Sequence, residues 1–216
     1  MSTVGILGGT GPAGQGVALR LAAGGYDVVL GSRDADRAAH VAGELVARGT
    51  GSLSGAANED AAQCDVVVVA TPWDSAVATV RALKEPLANK IVVSMVNALV
   101  REGRELVPLY PPRGSMAAQI ASALPNSTVV GAFHHLPASE MVNLDSDLDA
   151  DVVIFGDDAA SRDVMAEMVD AMPGLHAVVA GSMSLASATE AFTAVCISIN
   201  IRHKAHSYVK LAGLRH

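Results

Sequence analysis

The first residues with a chemically informative spacing are three glycines that follow an apolar segment at the start of the chain. Gly9, Gly11 and Gly14 have the G-x-G-x-x-G spacing of a loop that joins a strand to a helix. The first permits a tight turn, the second lets backbone approach a pyrophosphate, and the third lets the helix pack closely on the strand. The amino end of that helix offers unpaired N–H groups to phosphates. The residues predicted to contact a dinucleotide here are Gly9, Thr10, Gly11, Pro12, Ala13 and Gly14.

A second group of polar residues follows the next predicted strand, residues 26–30. In this fold the end of the second strand meets the adenosine ribose, where an acidic residue would bind the 2′-hydroxyl of NAD. The sequence has Ser32 and Arg33 at that point, with Arg37 one helical turn later. A hydroxyl and a guanidinium suit a 2′-phosphate, so these residues predict NADP(H). The alternative is that Ser32 caps the following helix and Arg33 is a solvated surface charge.

Two later strand ends are expected beside the same ligand, because open α/β sheets bind ligands at the carboxyl ends of their strands. Trp73 could cover a ring there, or it could begin the next helix and pack on that helix's face. The residues predicted to bind the cofactor at these ends are Ala70, Thr71, Pro72, Trp73, Val96 and Asn97.

Tandem histidines, His134 and His135, follow another predicted strand, residues 128–133. Side chains alternate along an extended strand, so at most one of the two is expected to face a site. No further ligand has a helpful spacing, and no metal site is expected. The sequence also has no G-x-S-x-G motif and no convincing Cys/His pair, which disfavours nucleophilic catalysis.

The elements that must position these residues alternate between strand and helix patterns. They predict an α/β fold, a Rossmann-type doubly wound and mainly parallel sheet with a small C-terminal helical extension. Between the strands we expect a helix over residues 34–48 capped by Asp34, and loops over residues 49–55 and 106–114. Residues 1–140 are predicted to form the NADP-binding domain. Residues 141–216, with two further strands plus helices, are predicted to complete the cleft for a second substrate.

The last third of the chain carries its most apolar segment, residues 186–201, interrupted by Glu190 and Asn200. It is short for a membrane span, and a buried helix is expected. From residue 200 to the end the chain has basic residues and no acidic ones. A solvated tail is the simplest interpretation; a positive patch for an anionic second ligand and an oligomer contact are the alternatives.

The composition limits the kinds of partner that the chain is expected to bind. The net charge of -7 disfavours nucleic-acid and anionic-membrane binding, which need a positive field. Cys64 and Cys196 lie in apolar runs and are expected to be reduced core thiols of a cytoplasmic protein. Small-molecule partners and a homo-oligomer, most simply a homodimer, are predicted.

Several stretches together resemble the NADPH-dependent coenzyme F-420 (F420) reductase family, also called F420:NADP oxidoreductase. The resemblance extends over most of the chain. The stretches that carry it are residues 7–11 with Gly14 and Gly16, residues 31–33, residues 58–62 followed by Cys64 and Asp65, residues 72–73, residues 90–94, and His134 with residues 136–138.

The resemblance implies reversible hydride transfer between C4 of the nicotinamide of NADPH and C5 of a deazaflavin, with coenzyme F420 as the second substrate. It implies that Thr10, Ser32, Arg33 and Arg37 hold the adenosine and phosphate end of NADP. It places Ala70, Thr71 and Pro72 along the nicotinamide. His134 and Leu136 would border the reacting rings, with Leu136 an apolar spacer. No side chain need act as an acid or base, because the two cofactors carry the chemistry.

Two other functions remain open on the sequence. The chain could be an NADPH-dependent reductase of another acceptor, such as an imine, a ferric complex or a flavin. It could also be a non-catalytic NADP(H) sensor.

Overall fold

The computed structural model describes residues 2–48 and 51–214, in which strands and helices alternate along most of the chain. The described strands are β1 (Thr3–Leu7), β2 (Asp27–Ser32), β3 (Leu53–Ala57), β4 (Val66–Val69), β5 (Ile91–Ser94), β6 (Leu99–Glu102), β7 (Glu105–Pro108), β8 (Thr128–Gly131), β9 (Ala150–Gly156) and β10 (Leu175–Gly181). The described helices are α1 (Pro12–Ala23), α2 (Ala35–Val46), α3 (Asn58–Ala61), α4 (Trp73–Ala82), α5 (Met116–Ala123), α6 (Ala138–Met141), α7 (Ala159–Asp170) and α8 (Ala186–His203), and a single 3-10 turn (Met183–Leu185) precedes α8.

One sheet contains all the described strands except β6 and β7, in the order β10-β9-β8-β5-β4-β1-β2-β3. Neighbouring strands are parallel except for the pair β8 and β9. The chain runs outward from β1 to β3 and then returns to build the other half from β4, which is the doubly wound arrangement. The predicted fold class is confirmed. The predicted boundary at residue 140 falls within α6, and β9 and β10 extend the same sheet.

The glycine turn between β1 and α1 is held by backbone contacts that leave no room for side chains at Gly9 and Gly14. The N–H of Gly9 donates to the carbonyl of Gly31 at 2.8 Å, which ties the turn to the end of β2. A Cβ on Gly14 would lie 2.7 Å from the Cα of Gly9, so α1 and the turn touch backbone to backbone. Gly8 has φ of +69°, in the left-handed region that favours glycine. The strand, glycine turn and helix therefore follow the sequence prediction, with Gly8 as an additional turn residue.

The predicted loop over residues 49–55 is wrong from Leu53 onward, because β3 begins there and pairs with β2. Gly49 and Thr50 lie outside the described residues. A Cβ on Gly55 would come within 2.1 Å of the Ala38 backbone. Helix α2 therefore covers this edge strand too closely for larger side chains. The small residues that suggested a loop are the ones that this packing requires.

The predicted proline-rich loop over residues 106–114 is also wrong in part. β7 pairs with β6 in an antiparallel hairpin whose turn contains Gly103 at φ of +61°. Pro108 is the last residue of β7, and a proline is tolerated at the end of an edge strand. The N–H of Leu106 donates to Oγ of Ser198 at 3.1 Å, which fixes the hairpin against α8.

Helix α8 differs from the predicted buried helix because one of its sides is open to solvent. Phe192, Val195 and Ile199 are 43–48% exposed. With the 3-10 turn it covers Met183–His203, 21 residues, which is long and apolar enough to cross a membrane by those two criteria alone. Its other side is bonded into the fold, since Glu190 accepts from α5 and Thr193 contacts Asn97. We therefore describe it as a surface helix of the folded chain.

Candidate active site

A pocket of about 210 Å³ lies at the carboxyl ends of the central strands and joins the two halves of the chain. Four of the residues predicted from the sequence line it, namely Ala13, Asn97, His134 and Leu136. The other lining residues are Met95, Phe133, His135, Pro137, Thr193, Cys196, Ile197, Asn200 and Ser207. Pockets for whole small molecules usually measure about 300–1,000 Å³, so this one suits the ring end of a larger ligand.

The residues predicted to meet a 2′-phosphate lie beside the glycine turn, at the end of β2. Ser32 is buried, and its Oγ accepts from the N–H of Asp34 at 3.2 Å. Arg33 and Arg37 are exposed, and their side chains bond to no other described residue. The cap of α2 is Asp34, whose Oδ1 accepts from the N–H of Arg37 at 3.0 Å. The predicted Asp34 cap is confirmed, and the two guanidinium groups remain available to a ligand.

The ends of β4 and β5 hold the next predicted residues. Oγ1 of Thr71 is buried without a hydrogen-bond partner among the described residues. Pro72 precedes α4, and Trp73 begins that helix with 39% of its surface exposed. Ala70 donates its N–H to the carbonyl of Leu7. Val96 belongs to the apolar core, so its side chain does not line the pocket.

Both histidines of the tandem pair line the pocket, so the expectation that at most one would do so is wrong. The expectation assumed that the extended strand persists through them. β8 instead ends at Gly131, and Phe133 takes φ of +66°, which turns the chain before His134. The strand alternation that separates neighbouring side chains no longer applies after such a turn.

His134 has an uncharged ring that is buried beside the pocket. Neither ring nitrogen has a partner among the described residues, and the ring stacks on Phe155 with centroids 5.3 Å apart. Burial lowers the pKa of His134 to about 3, and neighbouring His135 adds to the shift. The carbonyl of His134 accepts from Nδ2 of Asn97 at 3.3 Å. Oγ1 of Thr193 lies 3.1 Å from both that carbonyl and Oδ1 of Asn97, which fixes the turn to α8.

A buried carboxylate holds α8 in place behind this pocket. The two oxygens of Glu190 accept from the N–H groups of Met116 and Ala117 at 2.7 and 2.9 Å, at the amino end of α5. These bonds favour the ionised form, but burial is the larger effect and raises the pKa of Glu190 to about 7. One residue earlier, the carbonyl of Thr189 lies 2.7 Å from Nε2 of His135. Glu190 therefore positions the segment of α8 that contacts the histidine pair.

The C-terminal segment after α8 is docked on the fold, so the solvated-tail interpretation is wrong for residues 207–211. The N–H of Ser207 donates to Oδ1 of Asn200 at 2.8 Å. Further along, the carbonyl of Val209 accepts from the N–H of Asp151, and Nζ of Lys210 lies 2.6 Å from Asp149. Arg215 and His216, the end of the basic segment, lie outside the described residues.

The sequence reasoning missed the pocket residues that α8 and the segment after it supply, Thr193, Asn200 and Ser207. One signal was available. Thr193 and Asn200 are polar residues seven positions apart in an apolar helix, and that spacing places them on one helical face. Ser207 has no such signal, because only the turn after α8 brings it back to the pocket.

The observed residues fit a dinucleotide. The glycine turn has room, because a Cβ on Gly11 would meet only the Gly8 carbonyl at 3.7 Å. Gly11 thus leaves an open approach to the amino end of α1, where N–H groups can meet a pyrophosphate. The unpaired hydroxyl of Thr71 and ring nitrogens of His134 offer polar partners at the strand ends. Within residues 2–48 and 51–214, no group of three His, Cys, Asp or Glu residues could hold a metal.

Comparison with known proteins identifies the family. Residues 3–98 match the family model described as NADP oxidoreductase, coenzyme F420-dependent. The chain is 34% identical over 211 residues to the F420-dependent NADP reductase of Methanocaldococcus jannaschii, covering 93% of each protein. The chain belongs to the F420-dependent NADP reductase family. This membership confirms the resemblance found in the sequence blocks.

Two further comparisons agree with this family. The F420-dependent NADP reductase of Methanothermobacter thermautotrophicus is 30% identical over 222 residues, covering 98% of this chain and 93% of the relative. A solved structure of a proposed F420-dependent NADP reductase from Arthrobacter sp. FB24 has a TM-score of 0.81 at 26% identity, covering 96% of this chain and 97% of that one. The likeness therefore includes α8 and the C-terminal strands as well as the glycine turn.

The raised pKa of Glu190 predicts a pH-dependent stability. Because the folded chain holds this proton to about pH 7, against an ordinary value of 4.5, the unfolded chain ionises first as pH rises. Glu190 therefore contributes most to the free energy of unfolding below pH 4.5. About 3 kcal/mol of that free energy is lost as pH rises from 4.5 through about 7. Urea unfolding of the wild type and of Glu190→Gln, repeated across this pH range, should show the loss of stability only in the wild type. Glu85→Gln, an exposed control, should keep the wild-type curve, and parallel curves for wild type and Glu190→Gln would contradict the assignment.

Proposed function

We propose that this protein catalyses reversible hydride transfer between C4 of the nicotinamide of NADPH and C5 of oxidised coenzyme F420. The observation that carries the proposal is the pocket itself. It joins Ala13, in the first turn of α1, to residues 134–136 and to α8, and every polar side chain that lines it is neutral. Membership of the F420-dependent NADP reductase family supports the same reaction.

The adenosine end of NADP(H) would lie along the glycine turn and the end of β2. Gly9 to Gly14 would meet the pyrophosphate, and Thr10 would lie beside it. Ser32, Arg33 and Arg37 would hold the 2′-phosphate, because the Gly9–Gly31 backbone bond ties the end of β2 to the turn and the two guanidinium groups have no partner among the described residues. The specificity for NADP(H) over NAD(H) follows from these charges.

The reacting end would enter the pocket along the ends of β4 and β5. Ala70, Thr71 and Pro72 would follow the nicotinamide, with Trp73 at the outer edge and the Val96–Asn97 segment below. His134 and Leu136 would border the two rings, Leu136 as an apolar spacer. We also propose that residues 1–140 form the NADP-binding part and that residues 141–216 complete the acceptor cleft, since α8 and Ser207 supply the remaining pocket wall.

The protein contributes to this reaction by positioning the two rings and by excluding water from the pocket. NADPH supplies the hydride and the deazaflavin accepts it, so no side chain has to exchange a proton with either ring. The Asn97, Thr193 and His134 bonds hold the pocket wall rigid. The buried His134 and the half-buried Leu136 exclude water. Fixing two rings in a reactive geometry can lower the barrier by several kcal/mol, about 7–11 in well-oriented model reactions.

The proposed reaction is tested by mixing the purified protein with NADPH and oxidised coenzyme F420. We expect the absorbance of the oxidised deazaflavin to decay, with one NADPH consumed for each deazaflavin reduced. A parallel screen with an imine, a ferric complex and a flavin should give much slower NADPH consumption. Turnover with one of these and none with the deazaflavin would contradict the proposal, and binding of NADPH without any turnover would indicate a sensor.

The Arg33 assignment predicts a change of cofactor preference. One charge-assisted hydrogen bond contributes about 1.5–3 kcal/mol, so Arg33→Ala should weaken NADPH binding roughly tenfold to over a hundredfold. Arg33→Asp should in addition shift the preference toward NADH. Dissociation constants for both cofactors measure this, with Arg81→Ala on the exposed side of α4 as the control. An unchanged preference in Arg33→Asp would contradict the 2′-phosphate assignment.

We further propose that the protein is a cytoplasmic homodimer, without nucleic-acid or membrane partners, that pairs through α8. The β6–β7 hairpin and the exposed side of α8 enclose a mainly apolar groove of about 1020 Å³. Phe192, Val195 and Ile199 form its floor and are nearly half exposed. Contiguous apolar surface of this kind marks an interface, and two-fold pairs are the commonest assembly. The free cysteines and negative net charge support the remaining parts of this proposal.

The dimer proposal predicts that Val195→Asp separates the subunits, because each subunit would bury a carboxylate in an apolar interface. Sedimentation should give a dimer for wild type and a monomer for Val195→Asp, with similar melting temperatures. Val164→Asp on α7 is a matched control, since Val164 is 39% exposed and lies outside the groove. A monomeric wild type, or a dimeric Val195→Asp, would contradict the proposal.

A further inference from the structure

Asn200 brings the one carboxamide of α8 to the pocket, close to the carboxyl end of that helix. Its backbone carbonyl accepts from the N–H of Ala205, after Lys204 takes the left-handed conformation at φ of +51°. This turn reverses the chain and returns Ser207 to the same pocket. Asn200 and Ser207 therefore line the pocket together, although they are seven positions apart in the sequence.

The orientation of the Asn200 amide is determined by its bonds to Ser207. Its oxygen lies 2.8 Å from the backbone nitrogen of Ser207 and 2.6 Å from Oγ of the same residue. A backbone N–H can only donate, so the atom that it meets must be the amide oxygen. The amide nitrogen is therefore the group left over, and it bonds to no described residue. Asn200, which lines the pocket, thus has two N–H donors that no described residue uses.

The segment on both sides of Ser207 is anchored, so this orientation is maintained. Nδ1 of His206 lies 3.1 Å from Oγ of Ser139, and Leu211 donates its N–H to Asp151 at 2.6 Å. Lys210 adds ion pairs to Asp149 and Asp151. A donor whose side-chain rotamer is already fixed loses little conformational entropy when a ligand binds.

We propose that the Asn200 amide donates a hydrogen bond to a ring carbonyl oxygen of the deazaflavin and orients that ring for hydride transfer. The inference rests on the proposed function and adds a substrate-binding residue to it. A deazaflavin carries a pyrimidinedione ring whose two carbonyl oxygens accept hydrogen bonds. Residues before position 140 supply the glycine turn and strand ends that suit NADPH, whereas α8 and the segment after it supply Asn200 and Ser207. The acceptor ring is therefore the partner that Asn200 meets.

The test compares two substitutions at Asn200 for binding of each ligand separately. Asn200→Ala removes the donor, and the loss of a neutral hydrogen bond corresponds to a rise of roughly 2- to 12-fold in the Kd of oxidised coenzyme F420. Asn200→Asp keeps the shape of the side chain but replaces the amide nitrogen with a carboxylate oxygen. That oxygen would face the ring carbonyl oxygen, so a larger rise in the Kd of the deazaflavin is expected. The Kd of NADPH, measured by fluorescence titration, should stay within about twofold of wild type in both variants. Ser207→Ala should give a smaller rise for the deazaflavin, because it removes one of the two bonds that orient the amide.

Asn126→Asp is the matched control, since it makes the same substitution at an exposed position before β8, at the opposite end of the sheet. It should change neither constant. An Asn200→Ala protein with wild-type melting temperature and an unchanged deazaflavin Kd would overturn the inference alone. An equal rise for NADPH and the deazaflavin would also overturn it, because Asn200 would then act on the pocket as a whole. A wild-type protein that reduces no deazaflavin would overturn the proposed function and this inference together.

Discussion

The structure depends on a buried guanidinium that connects the glycine turn to the pocket. Arg20 lies on α1, is 1% exposed, and donates to the carbonyls of Glu140, Met141, Asn143 and Pro173. Burial lowers the pKa of Arg20, and the nearby Glu140 carboxylate opposes that shift. The carbonyls compensate the buried charge, and losing the donor would leave them unpaired at about 1–3 kcal/mol each. Since α6 follows the His134–Pro137 turn directly, Arg20 sets the distance from α1 to the histidines.

The sequence predicted best where one local segment determines the structure. The glycine turn and the Asp34 cap depend on residues within about one helical turn of each other, and both appear as expected. β3 could not be recognised, because its small residues look like a loop until α2 is packed on Gly55. The sequence predicts that at most one of His134 and His135 faces the site, because it extends strand alternation beyond Gly131, whereas both residues line the pocket. The positive φ of Phe133 that ends the alternation is set by the tertiary structure and has no sequence signature.

Helix α8 shows a second reason why the site was only partly predictable. Its inner side carries Glu190, Thr193 and Asn200, each bonded to another element, while Phe192 and Val195 are exposed on the outside. A helix whose polar residues face the protein reverses the usual amphipathic pattern, so a sequence reading that places apolar residues inside predicts a buried helix. The polar residues are inside because they hold the pocket wall, and the apolar ones are outside where a second subunit would cover them.

Charge is distributed unevenly along the proposed ligand path. The phosphate end has Arg33 and Arg37, whereas the described residues that line the pocket include no Asp, Glu, Lys or Arg, and the pKa of His134 near 3 keeps its ring neutral. A nicotinamide is a cation when oxidised and neutral when reduced. A full charge about 4 Å from it would change the balance of the two bound forms by about 4 kcal/mol at an effective dielectric constant of about 20, nearly a thousandfold. A pocket of neutral polar groups avoids that bias between the bound oxidised and reduced cofactor.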